Sequence, residues 1–282
     1  MNRRAIHALL YGLLAVAALA AGCGDDAKGK PVSYQLTAKQ NYEKGLQELK
    51  DENFVEAIKY FTFVKTRFPF SRYAPLGELR VADTQQARGR FIEAIDAYRQ
   101  FTRFHPTHDM VENGYAAYKI CECYYKQVPD EWFLSPPAIE KDQTATREAL
   151  KEFDQFLVKY PGSKYTKDAR KQRQECLRKL IDSELYVARF YLGRNKPKAT
   201  ALRLRGVLES YPGAGNEPDI LLLLGQTYLH MEQIEKARET FTRLTAEHPR
   251  DFNAQRARLY LDYIDRRYGK QQTGQAAGPR GG

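Results

Sequence analysis

Leu221–Pro249, LLLLGQTYLHMEQIEKARETFTRLTAEHP, reads as a helix, a tight turn and a second helix. Gly225 and Ala237 carry almost no side chain, so two antiparallel helices can approach closely where they cross. Leu221, Leu224, Tyr228, Phe241 and Leu244 fill the space left beside them. Pro249 stops the second helix, because it has no amide hydrogen and its ring clashes with the preceding turn. A single pair of helices cannot bury its apolar face, so the neighbouring sequence is expected to contain copies.

The copies are marked by an aromatic residue or His before Pro: Phe68-Pro69, His105-Pro106, Tyr160-Pro161, Tyr211-Pro212 and His248-Pro249. Twelve residues before each Pro stand Ala57, Ala94, Ala149, Thr200 and Ala237, and eight before stand Phe61, Tyr98, Phe153, Leu204 and Phe241. The fourth copy departs most, with Thr200 where the others have Ala. Together with Leu224-Gly225 and Tyr228, these are the spacings of the tetratricopeptide pattern, L-G-x2-Y, then A-x3-F, then P. With no sustained strand alternation, the expected fold is all-α: a tetratricopeptide-repeat superhelix of five repeats plus a capping helix.

Residues 1–22 read as a lipoprotein signal peptide, with Arg3-Arg4, an apolar run and Ala20-Ala21-Gly22 before Cys23, the expected lipidation site. An ordinary export signal with an incidental Cys23 is the bland alternative. Acyl chains on that thiol would anchor the chain without spanning a bilayer. Residues 23–33 form a tether, 34–126 the N-terminal half of the array, 127–143 an inserted loop, 144–268 the C-terminal half and 269–282 a disordered tail. In the interrupted third repeat the first helix is expected near Val111–Lys126 and the second near Thr144–Lys159. Trp132 and Phe133 of the insertion either bind a partner or fold back over a groove; the residues leave both open. Thr166–Tyr191 reads as one long helix with a stripe of Cys176, Leu180, Tyr186 and Phe190, and Ala254–Tyr268 as the closing helix.

Net charge is +10, or +8 without Arg3 and Arg4, but it is spread along the helices with no basic stripe interleaved with aromatics, which argues against nucleic acid. No phosphate loop, nucleophile elbow or paired acid and base carboxylates occur, so neither a catalytic residue nor a cofactor is expected and the chain reads as no enzyme. His105 and His108 flank a turn with no further ligand at metal spacing, so no metal is expected. Cys121 and Cys123 lie about 200° apart on a helix and cannot bridge each other easily. Buried inert thiols, or a bridge from one of them to Cys176, remain as alternatives.

The connectors carry a closer likeness. Arg67–Tyr73 (RFPFSRY), Pro106–His108 (PTH) and Tyr160–Ala169 (YPGSKYTKDA), with the interrupted third repeat and long joining helix, resemble the BamD family, also called the competence lipoprotein family. The resemblance implies a lipid-anchored, periplasm-facing scaffold of the outer-membrane barrel assembly machinery, working beside other barrel assembly lipoproteins. It implies that Arg203 contacts a POTRA domain of the barrel protein BamA. It also implies that a groove in the N-terminal repeats receives the C-terminal targeting strand of unfolded outer-membrane proteins, with Phe70, Tyr73, Tyr115 and Tyr118 as lining candidates. The reading from another class is a tetratricopeptide pilotin-type lipoprotein for secretin or pilus assembly.

Overall fold

The computed structural model describes residues 32–130 and 137–269. The expectations for the signal, Cys23, Trp132, Phe133 and the tail beyond Gly269 therefore lie outside the described residues. Among those described, helices follow one another with no strand: α1 Ala38–Lys50, α2 Phe54–Arg67, α3 Tyr73–Ala87, α4 Phe91–Phe104, α5 Asp109–Glu112, α6 Tyr115–Tyr125, a 3-10 turn Ala138–Glu140, α7 Thr144–Lys159, α8 Thr166–Gly193, α9 Pro197–Ser210, α10 Glu217–His230, α11 Ile234–Glu247 and α12 Phe252–Tyr268. None is long and apolar enough to cross a membrane. The chain divides into two compact units, Met1–Phe101 and Thr102–Gly282, a division that falls ahead of the insertion.

The repeat rows locate the core in both units. Ala57, Ala94, Ala149, Thr200 and Ala237 are fully buried, as are Phe61, Tyr98, Phe153, Leu204 and Phe241. Each first helix meets the large residue with a small one sixteen positions earlier: Gly45, Ala82, Ala188 and Gly225 in repeats one, two, four and five. A Cβ built on Gly45 would lie 2.6 Å from Phe61 Cε1, and one on Gly225 2.6 Å from Phe241 Cζ. Thr200 fits the small-residue row because its hydroxyl donates to the Ala188 carbonyl at 3.2 Å, which satisfies the buried oxygen. By the same register Asp262 of α12 follows Gly225 by 37 residues. A carboxylate paired with Arg266 there cannot accept another large apolar side chain, so α12 closes the array.

The turns repeat as faithfully as the core. Phe68, Tyr160, Tyr211 and His248 end their helices with φ between −126 and −132° and ψ between 52 and 57°. The proline that follows each one disfavours helical backbone at the preceding residue. Between the helices of repeats one, two, four and five, the residue five before the small one is left-handed: Glu52 (φ 60°), Gly89 (74°), Asn195 (54°) and Glu232 (55°). Only Gly89 takes that conformation without a Cβ penalty. Glu232→Gly is therefore expected to stabilise the protein by up to about 1 kcal/mol, read as a higher urea midpoint; an unchanged or lower midpoint would show that the turn is unstrained.

Two expectations need correction. The first helix of repeat three is broken: α5 ends at Glu112, Gly114 turns left-handed (φ 81°), and α6 begins at Tyr115. Gly114 is buried beneath Phe156 and Tyr160, where a Cβ would come within 3.0 Å of both rings. Both the left-handed backbone and the close approach of those rings demand glycine here. The stripe of α8 also differs. Cys176 and Leu180 are buried, but so are Leu177, Ile181, Leu185 and Ala188, whereas Tyr186 and Phe190 are exposed. Six residues past Leu180 a side chain has turned about 240° round the helix, which takes Tyr186 off the core face.

That outward face of α8 holds the insertion. Lys179 Nζ donates to the Pro129 carbonyl (2.7 Å), Ser183 Oγ to the Ile139 carbonyl (2.8 Å) and Tyr186 Oη to Glu140 (2.5 Å). Residues 179, 183 and 186 share one side of the helix, so both ends of the inserted loop are lashed to a single row.

Candidate partner-binding surfaces

Arg203 projects from α9 beside α8, whose Glu184 carboxylate accepts a hydrogen bond from its Nη1 at 2.8 Å. The pair borders a cavity of about 500 Å³, lined also by Tyr191, Leu202, Val207 and Tyr211. Leu204 and Val207 fix α9 by burial, Val207 one turn along from Arg203 at the floor of the cavity, while Arg203 and Leu202 remain exposed. The Arg203 side chain stays 45% exposed, so its charge is held by one carboxylate and still open to another. An exposed pair of this kind contributes little to stability. Burial, and then the charge of Glu184, push the Tyr211 phenol above its ordinary range, so it remains a neutral hydrogen-bonding wall of the cavity.

The four aromatic candidates separate by environment. Phe70, in the connector between α2 and α3, is completely exposed. Tyr73 is half-buried against Tyr42, with ring centroids 5.4 Å apart, and the Arg72 guanidinium lies 5.1 Å over its ring and donates to its hydroxyl. Both belong to the first unit. In the second unit Tyr115 is half-buried, 6.0 Å from the Tyr165 ring. Tyr118 is buried, stacked on Tyr165 at 4.7 Å and packed against Phe156. Burial and the neighbouring Glu122 raise the Tyr118 phenol. Phe70 thus offers its whole ring to a ligand, whereas the Tyr118 ring is already spent on packing.

The thiols and histidines have structural surroundings. Cys121, Cys123 and Cys176 are free and buried. Burial raises the Cys121 thiol and pushes Cys176 up to about 12, so neither ionises near neutral pH. His108 caps α5, its Nδ1 accepting from the Met110 amide at 3.1 Å. Among the described residues no three His, Cys, Asp or Glu side chains converge as metal ligands would.

Sequence reading missed Glu184, Tyr191 and Tyr211 as company for Arg203. Glu184 lies nineteen residues from Arg203, on the preceding helix, and nothing in the repeat pattern singles it out. Tyr211 was visible only as the aromatic before Pro212.

A family model described as YfiO, outer membrane lipoprotein, matches residues 34–244. Curated relatives are similar along most of their lengths. The outer membrane protein assembly factor BamD of Caulobacter vibrioides is 27% identical over 256 residues, 90% of this chain and 79% of that protein. The protein of the same name from Neisseria gonorrhoeae is 27% identical over 85% of this chain and 89% of its own. That of Haemophilus influenzae is 28% identical over 81% and 86%.

Proposed function

The chain belongs to the YfiO family of outer membrane lipoproteins, and from that premise we propose that it is a non-catalytic scaffold of outer-membrane protein assembly. It is anchored through acyl chains on Cys23, faces the periplasm, docks a POTRA domain of BamA at Arg203 and works beside the other barrel assembly lipoproteins. The observation that carries the reading is the half-exposed Arg203 guanidinium at the rim of an apolar-walled cavity. A partner carboxylate that enters there meets a charge already oriented by Glu184 and flanked by Leu202, Tyr191 and Tyr211. The substrate role falls first to Phe70 and Tyr73. A bare phenyl ring beside a cation-backed tyrosine suits the aromatic end of an unfolded barrel strand, whose burial supplies the driving force.

The test is capture of the periplasmic domains of BamA by the purified chain. Arg203→Glu places two carboxylates side by side and should weaken capture at least tenfold, about 1.4 kcal/mol, while helicity stays unchanged. Undiminished capture removes Arg203 from the interface, and recovery with a secretin in place of BamA overturns the assembly role.

A further inference from the structure

A second groove lies in the C-terminal part of the second unit, between α10 and α12. Its cavity of about 370 Å³ is lined by Leu229, Arg256, Leu259, Tyr260 and Tyr263, none of which borders the Arg203 cavity. The two helices are tied together by Gln226 Nε2 donating to Tyr260 Oη (2.8 Å) and Asn253 Nδ2 donating to Asp219 (2.9 Å). The 37-residue register sets Arg256, Leu259 and Tyr263 of α12 at the positions of Asp219, Leu222 and Gln226 of α10, so neighbouring first helices present the same face. That face is apolar and open: Leu259 is 72% exposed and Tyr263 48%. The groove's lining holds one charged side chain, Arg256, which forms no ion pair among the described residues. Arg256 has only the Asn253 side-chain oxygen at 3.5 Å and, among the described residues, no carboxylate, while the nearby Arg266 is taken by Asp262.

The chain's own C-terminal residues are poor occupants, and residues 131–136, though acidic and aromatic, are bounded by Pro129 and Ile139, which are tied to α8 and not to α10 or α12. Residues 270–282 contain no aromatic or branched aliphatic side chain and no carboxylate side chain, and they add Lys270 and Arg280. A second copy docking through the same face could pair Arg256 only by drawing Asp262 away from Arg266, so it brings no uncommitted acid to the groove. The complementary ligand is instead a short segment with an apolar anchor for Leu229, Leu259 and Tyr260 and a carboxylate for Arg256.

We propose that the groove between α10 and α12 is a docking site for an acidic, apolar-anchored peptide segment of a partner protein. The volume holds one or two large side chains, so affinity rests on an anchor residue together with the charge contact. Rising salt should weaken binding, because Arg256 is exposed.

The probe is fluorescence anisotropy of two labelled peptides, GSEELFDEGS and its charge-reversed form GSKKLFKKGS, titrated with the full-length mature chain. The acidic peptide is expected to bind at least tenfold more tightly than the basic one. Arg256→Glu should lose at least tenfold of that binding, Leu259→Asp should do the same, and Arg203→Glu should leave it unchanged. Both substituted side chains are exposed, so helicity should be retained; should Leu259→Asp unfold, Arg256→Glu alone decides. Equal binding of the two peptides, or acidic-peptide binding untouched by Arg256→Glu, overturns the proposal. So does a concentration-dependent dimer in sedimentation that Leu259→Asp abolishes, since a second copy would then be the occupant. Retained peptide binding in Arg203→Glu alongside lost BamA capture would separate this groove from the Arg203 surface.

Discussion

Gly225→Val is expected to remove several kcal/mol of stability, enough to unfold the C-terminal repeats at moderate temperature. A Cβ alone would sit 2.6 Å from Phe241 Cζ, well inside contact distance, and valine adds two methyl groups beyond it. Phe241 cannot retreat. It is fully buried, and its ring is stacked on Tyr260 at 5.0 Å and 4°. Overpacking a rigid site costs about 1–3 kcal/mol, and a ring trapped between two helices lies at the upper end of that range. The fourth repeat suggests the remedy, since there Ala188 and Leu204 occupy the equivalent places. The double variant Gly225→Ala with Phe241→Leu should therefore be more stable than Gly225→Ala alone. Urea unfolding monitored by helicity reads both. If Gly225→Val leaves the midpoint within experimental error, the helices do not cross where Gly225 places them.

The same pairing explains how far the fold was legible. Small and large residues recur at fixed distances from a proline, and such rows survive exchange of Ala for Thr or Phe for Leu because volume is conserved across the pair. Ala94/Tyr98 and Thr200/Leu204 were readable for that reason. The left-handed turns were not. Their usual mark is glycine, and only Gly89 carries it; Glu52, Asn195 and Glu232 adopt the conformation because the helices on either side impose it. The break at Gly114 was hidden because the rings that require it, Phe156 and Tyr160, come from a helix beyond the insertion. Tyr186 was misread as core because its partner, Glu140, lies 46 residues away in a segment with no repeat pattern. Of the candidate sites, Arg203 was legible through a family position, but not the carboxylate that orients it. Exposure of Phe70 against burial of Tyr118 is a difference of packing that residue type does not encode.

Phe153→Ala should be comparably damaging, and its distribution along the chain is the more informative readout. Phe153 is fully buried in α7, with the Tyr125 ring edge-on at 6.2 Å and Cys121, Phe156 and Cys176 in the same cluster. Truncating a buried phenylalanine costs about 3–5 kcal/mol, through lost transfer energy and the cavity left behind. Val158, five residues further along α7 and 83% exposed, is the control, and Val158→Ala should change stability by less than about 0.5 kcal/mol. Because a repeat array is held by nearest-neighbour contacts, the loss should not spread evenly. Amide exchange should accelerate most in α6, α7 and the first half of α8, which pack on one another, while α10 to α12 keep most of their protection. Their own large residues, Phe241, Leu244 and Ile264, are untouched by the substitution. Equal acceleration in all helices of the second unit would mean that its continuous core unfolds as one block, and the nearest-neighbour description would then fail for this chain.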